Sequence, residues 1–431
     1  MRPHSLVLEK ADGIKPLGSA ISLTGGAIQI WEQLGIDKEM RDIAKPFGAL
    51  VFMDEDMSSL GDLDFRLSGS SQPKDDPGDA QIVARPDMIN VFISRIPRHK
   101  IHFNKRVLST KQDENKVEVR CSDKSVYQGT ILVGADGAYS SIRQNMYKEL
   151  EAIKKLPASD MEPLGYGYDC VVGVTPPLDP EQYAILNDPY CCFEIVLLKE
   201  LPYSVWYIPL SRNRIGWMVT HDVRDVGSDE ERNFRFSEWG HSAALDLCEK
   251  VRHVRCPYGG TFGDIIDFTP KNVISKVMLE DKHFTTWSSG RTVILGDACH
   301  KMLPFGGQGA NMAIASAIEL ANLIYEIPSN SQDDVDKIFS EFYKNRHSHG
   351  VFAVKGSNQS GALMHNKGIA ANMLRRAAFR WTPKWVIRMT RSKCNGFLTP
   401  LKFLPSKKQG QSSVSSRVSS RASSRKSPTP I

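Results

Sequence analysis

The most constraining feature of this 431-residue sequence is the segment 293–313, which reads VILGDACHKMLPFGGQGANMA. Its first three residues are apolar and predict a buried strand that delivers Asp297 at its carboxyl end. Open α/β sheets bind their ligands at that end of the strands. The glycine-rich stretch 304–309 then leads into a helix predicted from about Ala310 to Tyr325, whose first N–H groups and positive dipole end suit an anion. An ordinary glycine-rich turn is the less specific interpretation.

A second strand-to-helix turn lies at residues 131–143, which read ILVGADGAYSSIR. The apolar start predicts a buried strand, and Ser140 and Arg143 mark the start of a helix. Small residues in the turn let the backbone approach a bound group closely, and Asp136 can accept hydrogen bonds there. The alternative is that Asp136 only caps the helix.

Together the two segments resemble the G-D and D-G fingerprints of the class A flavoprotein monooxygenases, the FAD-dependent hydroxylase and epoxidase family. The likeness extends to LVLEKAD at residues 6–12 and to IVARPDM at residues 82–88. It covers about residues 5–330 and is greatest toward fungal members of the secondary-metabolite type. The resemblance implies an α/β fold with a doubly wound FAD-binding lobe, a mixed-sheet substrate lobe and a helical C-terminal extension.

The resemblance also implies a set of cofactor-binding residues, with no catalytic side chain and no metal site. Glu9 would hold the adenosine ribose, and Arg85 would contact the flavin near its ribityl or pyrophosphate part. The turn at Asp136 would serve both FAD and NAD(P)H, and Asp297 would bind the ribityl hydroxyls. The full implied set is Glu9, Arg85, Asp136, Gly137, Asp297, Pro304, Gly307, Gln308, Gly309 and Asn311, and the backbone of its last members would face the isoalloxazine ring.

The activity implied by the resemblance is NAD(P)H-dependent hydroxylation or epoxidation of an aromatic or prenylated small molecule. Molecular oxygen is the second substrate, and the reaction would run through a flavin C4a-hydroperoxide. That chemistry belongs to the cofactor, whereas the protein excludes water and positions the substrate. His300, which lies in the same fingerprint as Asp297, is then more readily a structural residue than a base.

One part of the pattern is missing. A dinucleotide-binding unit carries a G-x-G-x-x-G turn about 20 residues before its ribose-binding acid. In this sequence eight residues precede Glu9, and they contain no glycine. We therefore expect a truncated gene model, with two alternatives: an enzyme that has lost the turn, or a non-catalytic remnant that acts as a binding module.

The charge of the chain is divided unevenly. No acidic residue follows Glu341, while residues 342–431 hold 18 Lys and Arg. The first 341 residues hold the remaining 37 basic side chains and all 49 acidic ones. An acidic globule with a basic C-terminal part predicts an anionic partner for that part. Nucleic acid is the weaker choice, because no recognised nucleic-acid-binding module accompanies the charge.

Within the basic part, the segment from Met373 to Phe403 mixes aromatic and basic residues. It predicts either a helix in the interface of an anionic membrane or a helix packed on the acidic globule. The stretch 406–431 is rich in Ser and Arg and predicts a disordered tail. Arg417 and Arg421 precede Ser420 and Ser424 at a spacing that basophilic kinases favour, although a simple solvated linker is the alternative.

Composition excludes some classes of protein. Hydrophobic residues make up 41% and charged residues 24%. No apolar run approaches the roughly 18 residues of a membrane span, and the N-terminus lacks a secretory pattern. The eight cysteines show no C-x-x-C spacing. We therefore expect reduced thiols in an intracellular, cytoplasmic protein, with at most peripheral membrane contact.

The predicted organisation has five parts. Residues 1–164 form the first part of the FAD-binding lobe, 165–285 a mostly β substrate lobe, 286–340 the second part of the FAD-binding lobe, 341–405 a basic helical extension and 406–431 the tail.

Two local predictions complete the sequence interpretation. A helix opens at Thr24 and ends at Gly35, with Ile28, Trp31 and Leu34 on one face. The strands 204–210 and 215–220 form a hairpin. Its aromatic residues either line a substrate pocket or reflect the alternation of a half-buried sheet; they are Trp206, Tyr207 and Trp217.

Overall fold

A computed structural model describes residues 5–15, 17–66, 80–199, 201–224, 241–366, 368–383, 385–386 and 399–405. The tail 406–431, with its predicted kinase sites, and residues 387–398 of the basic segment lie outside these ranges. The helices of the described residues are α1 (Gly25–Leu34), α2 (Asp37–Ile43), α3 (Arg85–Ser94), α4 (Ser141–Ala152), α5 (Ala158–Met161), α6 (His241–Val251), α7 (Phe262–Phe268), α8 (Gly309–Glu326), α9 (Gln332–His365) and α10 (Ile369–Trp381). None of these helices is long and apolar enough to cross a membrane.

The strands of the described residues are β1 (Val7–Leu8), β2 (Ala20–Thr24), β3 (Ala44–Asp54), β4 (Ser59–Asp64), β5 (Ala80–Ala84), β6 (Ile101–His102), β7 (Val107–Gln112), β8 (Val117–Cys121), β9 (Val126–Gly129), β10 (Leu132–Gly134), β11 (Gly165–Val174), β12 (Cys191–Leu197), β13 (Tyr203–Leu210), β14 (Arg214–Asp222), β15 (Ser275–His283), β16 (Ser288–Ser289), β17 (Thr292–Ile294) and β18 (His300–Lys301). Ten of them form one mixed sheet in the order β18-β15-β11-β14-β13-β12-β3-β5-β2, with β4 beside β3. The mixed α/β fold predicted from the sequence is confirmed.

Two small groups of strands are parallel. β1 pairs with β6, and β10 pairs with β17, which carries the short antiparallel strand β16 on its other side. Among the described strands none pairs with the second edge of β1 or of β10. Parallel strands are normally covered on both faces, yet Val7 and Val133 are 45% and 39% exposed. The expectation that residues 131–133 form a buried strand is therefore wrong for Val133, which is exposed at the edge, whereas Ile131 and Leu132 are half-buried against the core.

The predicted hairpin is present as β13 and β14, which pair from Tyr203 opposite His221 to Leu210 opposite Arg214. Side chains alternate between the two faces of a strand, and this alternation separates the three aromatic residues of the hairpin. Tyr207 and Trp217 pack edge-on against Phe262 of α7, with ring centroids 5.7 and 5.3 Å away. Trp206 lies on the opposite face, 6.3 Å from the ring of Phe305.

Helix α1 begins and ends where the sequence predicts. Its C-cap is Gly35, whose left-handed φ of 68° is a conformation that glycine adopts without steric cost. The side chains of Ile28 and Trp31 are buried as expected, but Leu34 is 43% exposed. Leu34, the last residue of α1, therefore lies outside the buried part of the predicted face, and Ile36 just beyond the helix returns to the core.

The predicted domain boundaries remain a prediction, and two structural features bear on them. Helix α9 runs without a break past residue 340 for 34 residues in all. Strands β2 to β5, from the first part of the chain, belong to the same sheet as β11 to β14. A boundary drawn by residue number therefore divides elements that are continuous in space.

Helix α9 contains two glycines that give a matched test of this packing. A Cβ atom added at Gly361 would lie 2.7 Å from Cδ2 of Phe305, whereas one added at Gly356 would meet nothing within 4 Å. We expect Gly361→Ala to lower the free energy of unfolding by about 1–3 kcal/mol through overpacking. Gly356→Ala should raise it by about 0.5–1 kcal/mol. Urea unfolding of both variants measures the difference, and equal effects would contradict the close contact of α9 with Phe305.

Candidate functional site

The two sequence fingerprints are brought together by strand pairing. β10 and β17 are parallel and in register from Leu132 opposite Thr292 to Gly134 opposite Ile294. Both strands therefore end at the same edge, and a hydrogen bond of 3.0 Å from the Leu295 N–H to the Gly134 carbonyl extends the pairing there. The turns that carry Asp136 and Asp297 consequently lie side by side.

A buried arginine fastens these two turns to each other. Arg143 is 5% exposed, and its guanidinium donates to the carbonyl of Ala298 at 2.8 Å and to that of Ala138 at 2.6 Å. The same group lies 3.9 Å above the ring of Phe284. Burial lowers the pKa of Arg143 from its usual value. The carbonyls of the two fingerprints thus share one buried cation, and the sequence interpretation did not assign this role to Arg143.

Asp136 makes the capping contacts that the alternative interpretation predicts. Its Oδ2 accepts hydrogen bonds from the Ile142 N–H at 3.2 Å and from the Ser141 hydroxyl at 3.1 Å. Gly137 turns the chain with a φ of 84°. Because Asp136 is exposed, its carboxylate is also reachable from solvent. Its part in cofactor binding, and that of Gly137, remain predictions.

Asp297 lies in a 3-10 turn, Gly296–Ala298, directly after β17. Its carboxylate pairs with the Lys301 ammonium at 2.8 Å, and the Asp297 side chain is 37% exposed. Gly296 precedes it with a left-handed φ of 64°. An accessible carboxylate held by one ion pair still has free lone pairs, so it can accept hydrogen bonds from hydroxyl groups.

The N-terminus of α8 is the strongest polar feature of the site. Pro304 begins a 3-10 turn that ends at Gly307, whose φ is 60°. Gln308 is the N-cap of α8, and no described side chain caps the helix. The Oε1 atom of Gln308 is buried without a hydrogen-bond partner in the described part of the chain. Uncapped N–H groups from Gly309 onward suit an anionic or hydrogen-bond-accepting group of a ligand. The unpaired Oε1 of Gln308 can accept a hydrogen bond from a donor on the same ligand.

Asn311 joins the start of α8 to strand β2. Its side-chain amide donates to the carbonyls of Ser22 at 2.9 Å and Gly307 at 3.0 Å, and its Oδ1 accepts from the Thr24 N–H at 3.0 Å. Asn311 is 1% exposed. The polar atoms of its side chain are therefore hydrogen-bonded within the protein. Only the backbone of Asn311 is left to make its predicted contact with a cofactor.

Arg85 reaches the same region from the other side. Its guanidinium donates to the carbonyl of Leu17 at 3.0 Å, and its backbone N–H donates to the carbonyl of Ser19 at 2.9 Å. The hydroxyl of Ser19 is buried and has no partner among the described residues. The segment 17–24 thus connects Arg85 with the start of α8.

Glu9 is the one predicted site residue that no described contact connects to the others. It follows β1, and its Oε1 accepts a hydrogen bond from the Ala11 N–H at 2.8 Å. Most of the remaining predicted residues lie in the turns after β10 and β17 and at the start of α8, and Arg85, the first residue of α3, is connected to them through the segment 17–24. The ribose-binding role of Glu9 remains a prediction.

An aromatic wall lies next to the fingerprint loop. Phe305 contacts Tyr168 at a ring distance of 5.1 Å and His365 at 5.1 Å. The indole N–H of Trp206 donates to the Ser204 hydroxyl at 2.8 Å, and His365 Nε2 hydrogen-bonds to the Thr220 hydroxyl at 2.8 Å. These polar atoms are satisfied inside the protein, so the face toward Phe305 is apolar.

A cavity of about 160 Å³ lies beyond this wall, between the turn that follows β12 and helix α10. Leu197, Met364 and Arg375 are among its lining residues, and His365 lines it as well. His365 therefore separates the cavity from Phe305 by a single ring.

Comparisons with known proteins identify the family of this chain. The model of a family described as "FAD binding domain" matches residues 4–163 and 266–341. A protein of Aspergillus flavus, "FAD-dependent monooxygenase atmM", is 28% identical over 326 residues, which are 74% of this chain and 64% of that protein. "FAD-dependent monooxygenase ctvC" of Aspergillus terreus is 27% identical over 347 residues, 78% of this chain and 69% of the relative. The chain thus spans about two thirds of the length of these relatives.

The fold also has solved counterparts. The structure of HpxO from Klebsiella pneumoniae "complexed with FAD and uric acid" superposes with a TM-score of 0.68 at 19% identity, covering 91% of this chain and 90% of that one. At this identity the likeness concerns the fold. The family match shows that the chain belongs to the FAD-binding-domain family, among the class A FAD-dependent monooxygenases.

The bridge made by Arg143 gives a stability prediction. Arg143→Met leaves the carbonyls of Ala138 and Ala298 without their buried donor, so we expect the free energy of unfolding to fall by about 2–4 kcal/mol. Lys148, exposed on the same helix, is the matched control, and Lys148→Met should stay within about 0.5 kcal/mol of the wild type. Urea unfolding measures both, and an Arg143→Met protein as stable as its control would contradict the bridge.

Three histidines around Trp287, of which His300 is buried and the other two are half-buried, predict acid sensitivity. His283, His300 and His347 each lie within 6 Å of the ring of Trp287. Burial lowers the pKa of His283 and of His300 to about 4. Both imidazoles are therefore neutral at pH 7. His300 is also 1% exposed, and this burial favours a structural role for it.

The sign of the pH effect follows from these lowered values. Between pH 6.5 and pH 4 the unfolded chain binds more protons than the folded one, so stability falls as pH decreases, by roughly 3 kcal/mol at most for His300. Unfolding at pH 7 and pH 5 measures the loss. His300→Gln should reduce the difference between the two pH values, whereas His99→Gln, at an exposed position, should not. A His300→Gln protein with an unchanged difference would contradict the assignment.

Proposed function

We propose that this chain is an FAD-dependent, NAD(P)H-consuming monooxygenase that hydroxylates or epoxidises an aromatic or prenylated small molecule with molecular oxygen. The observation that carries the proposal is the uncapped N-terminus of α8 beside the accessible carboxylate of Asp297. The Arg143 bridge holds that pair against the Asp136 turn. The relatives' names, which describe FAD-dependent monooxygenases, support the same proposal.

Different polar residues of the site would bind different parts of the cofactor. Asp297 would accept hydrogen bonds from the ribityl hydroxyls, and Arg85 would contact the ribityl or pyrophosphate part. The N–H groups of Gly309 and its neighbours would favour negative charge on the isoalloxazine ring. The buried, unpaired Oε1 of Gln308 and hydroxyl of Ser19 fit such a group, since buried polar atoms normally have partners. When bound, FAD supplies the redox and oxygen chemistry.

The apolar wall would act on the substrate side. Phe305, Tyr168 and Trp206 pack their rings together, and the indole N–H of Trp206 is hydrogen-bonded to the Ser204 hydroxyl. Such a wall excludes water from a reacting centre and favours a ligand with aromatic or prenyl character. The apolar character of these rings is what supports an aromatic or prenylated substrate, and no side chain that donates or accepts a proton is required of the wall.

The reductant, the partners and the location of the protein are also proposed. NAD(P)H is the reductant typical of this family, and the Asp136 turn is the element we assign to it. A cytoplasmic location remains a prediction. An anionic membrane is the proposed partner of the basic C-terminal part.

A second candidate function is a binding module with the flavoprotein fold and without catalysis. The observation that favours it is the separation of Glu9, which lies on the two-stranded sheet of β1 and β6. No described strand joins the pair β1 and β6 to the pair β10 and β17, so the proposed ribose and flavin sites lie on separate sheets of the described residues.

The visible absorption spectrum of the purified protein separates the two functions. The enzyme should carry bound FAD or take it up, and it should then oxidise NAD(P)H. Asp297→Asn removes the charge from a charged hydrogen bond worth about 1.5–3 kcal/mol, so FAD should bind about 10- to 100-fold more weakly.

Asp246→Asn is the control for this experiment, because Asp246 is exposed on α6, away from the fingerprints. Its FAD affinity should equal that of the wild type. A folded protein that stays colourless with an excess of FAD would overturn the enzymatic proposal and leave the binding module.

A further inference from the structure

Helix α10 is firmly attached to the protein along one face. Phe379 stacks on Phe52 of β3 with ring centroids 3.6 Å apart, and it is 3% exposed. Gly61 of β4 approaches the backbone of Phe379 so closely that a Cβ atom would lie 2.7 Å from its carbonyl carbon. Arg375 donates from its guanidinium to the carbonyl of Leu363 at 3.0 Å. The orientation of α10 is therefore fixed, and so is the direction in which its other side chains point.

The opposite side of α10 is apolar and faces solvent. Met373, Leu374 and Trp381 are 67%, 64% and 75% exposed, and Trp385 just beyond the helix is 65% exposed. At about 100° per residue the three helical positions fall within one arc of about 100°. Large apolar side chains grouped in this way on a protein surface mark a site of interaction.

Two cations border this apolar arc. Arg376 and Arg380 are exposed, and at about 100° per residue they lie together on one flank of it. No acidic residue follows Glu341 in the sequence, whereas acidic side chains outnumber basic ones before it. We define the α10 outer face as these residues: Met373, Leu374, Arg376, Arg380, Trp381 and Trp385.

We propose that the α10 outer face binds an anionic membrane surface. Its Trp side chains suit the interface between headgroups and acyl chains, and its Arg side chains suit lipid phosphates. The aliphatic side chains of Met373 and Leu374 favour a lipid over a nucleic acid, because a phosphate backbone offers nothing apolar for them to enter. The acidic remainder of the protein would be repelled by the same surface, which orients the molecule on it.

The position of the cavity suggests how contact between α10 and a membrane would serve the protein. Arg376 lines the cavity as well as the α10 outer face, and Leu201, which is 40% exposed, lines the cavity from the turn after β12. A membrane bound to α10 would therefore lie beside the cavity. This use of the contact rests on the proposed function: an apolar substrate would enter the cavity from the lipid, where the ring of His365 separates it from Phe305.

Flotation of the full-length protein with vesicles tests the proposal. Vesicles of phosphatidylcholine with about 30% phosphatidylserine should bind the protein, with binding that weakens as salt increases, and pure phosphatidylcholine vesicles should bind it far less. Trp381→Ser combined with Met373→Ser, and separately Arg376→Glu combined with Arg380→Glu, should each weaken binding by about tenfold or more.

The matched control is Leu108→Ser combined with Lys111→Glu, which changes one exposed apolar residue and one exposed cation on β7. Its binding should equal that of the wild type. Circular dichroism and thermal melting of every variant show that each is folded.

Three results would overturn the proposal: no flotation, flotation that the α10 variants leave unchanged, or binding to duplex DNA that displaces vesicles and survives the Trp381→Ser change. The last result would assign the face to nucleic acid. FAD absorbance, measured on the same samples, keeps the two proposals apart. A colourless protein that floats contradicts only the enzymatic function, and a yellow protein that does not float contradicts only the membrane contact.

Discussion

The guanidinium of Arg143 is the interaction on which the candidate site depends. It donates hydrogen bonds to the carbonyls of Ala138 and Ala298, and so it links the turns that follow the two parallel strands β10 and β17. A buried cation is costly unless it is hydrogen-bonded, and here the backbone of both fingerprints supplies the acceptors. The same contact sets where Asp136 and Asp297 lie relative to each other. The start of α8 follows from that placement, because it continues the chain from the Asp297 turn.

Local patterns in the sequence predicted much of this arrangement. The apolar run before Asp297 forms a strand, the hairpin of β13 and β14 is where its polar turn indicates, and α8 begins within one residue of its expected start. Exposure was harder to predict, because it depends on neighbours that are remote in sequence. Val133 and Leu34 are apolar in pattern and exposed in the structure. Arg143 was missed as a site residue for the same reason: one of its two acceptors, the Ala298 carbonyl, lies in a turn 155 residues away. A lone basic residue beside the buried Ile142 and Met146 was the available signal.

The start of the chain shows the limit of motif-based prediction. Glu9 follows a short strand as the resemblance implies, yet its hydrogen bonds stay within its own neighbourhood. A motif identifies Glu9 as an acidic residue that follows a strand. Whether Glu9 lies near the turns of Asp136 and Asp297 depends on how β1 and β10 are placed, which the motif does not specify. Asn311 gives the opposite lesson. It lies at the centre of the site, but its side chain joins α8 to β2 and leaves only its backbone for a ligand.

The most direct test of the account is a crystal structure of the protein grown with FAD. The account predicts that a ribityl hydroxyl lies within about 3.2 Å of the Asp297 carboxylate. It also predicts that the isoalloxazine ring lies against the backbone from Gly307 to Asn311, with Phe305 beside it. FAD bound in the cavity next to α10, or bound anywhere without contact to Asp297 and the start of α8, would contradict it.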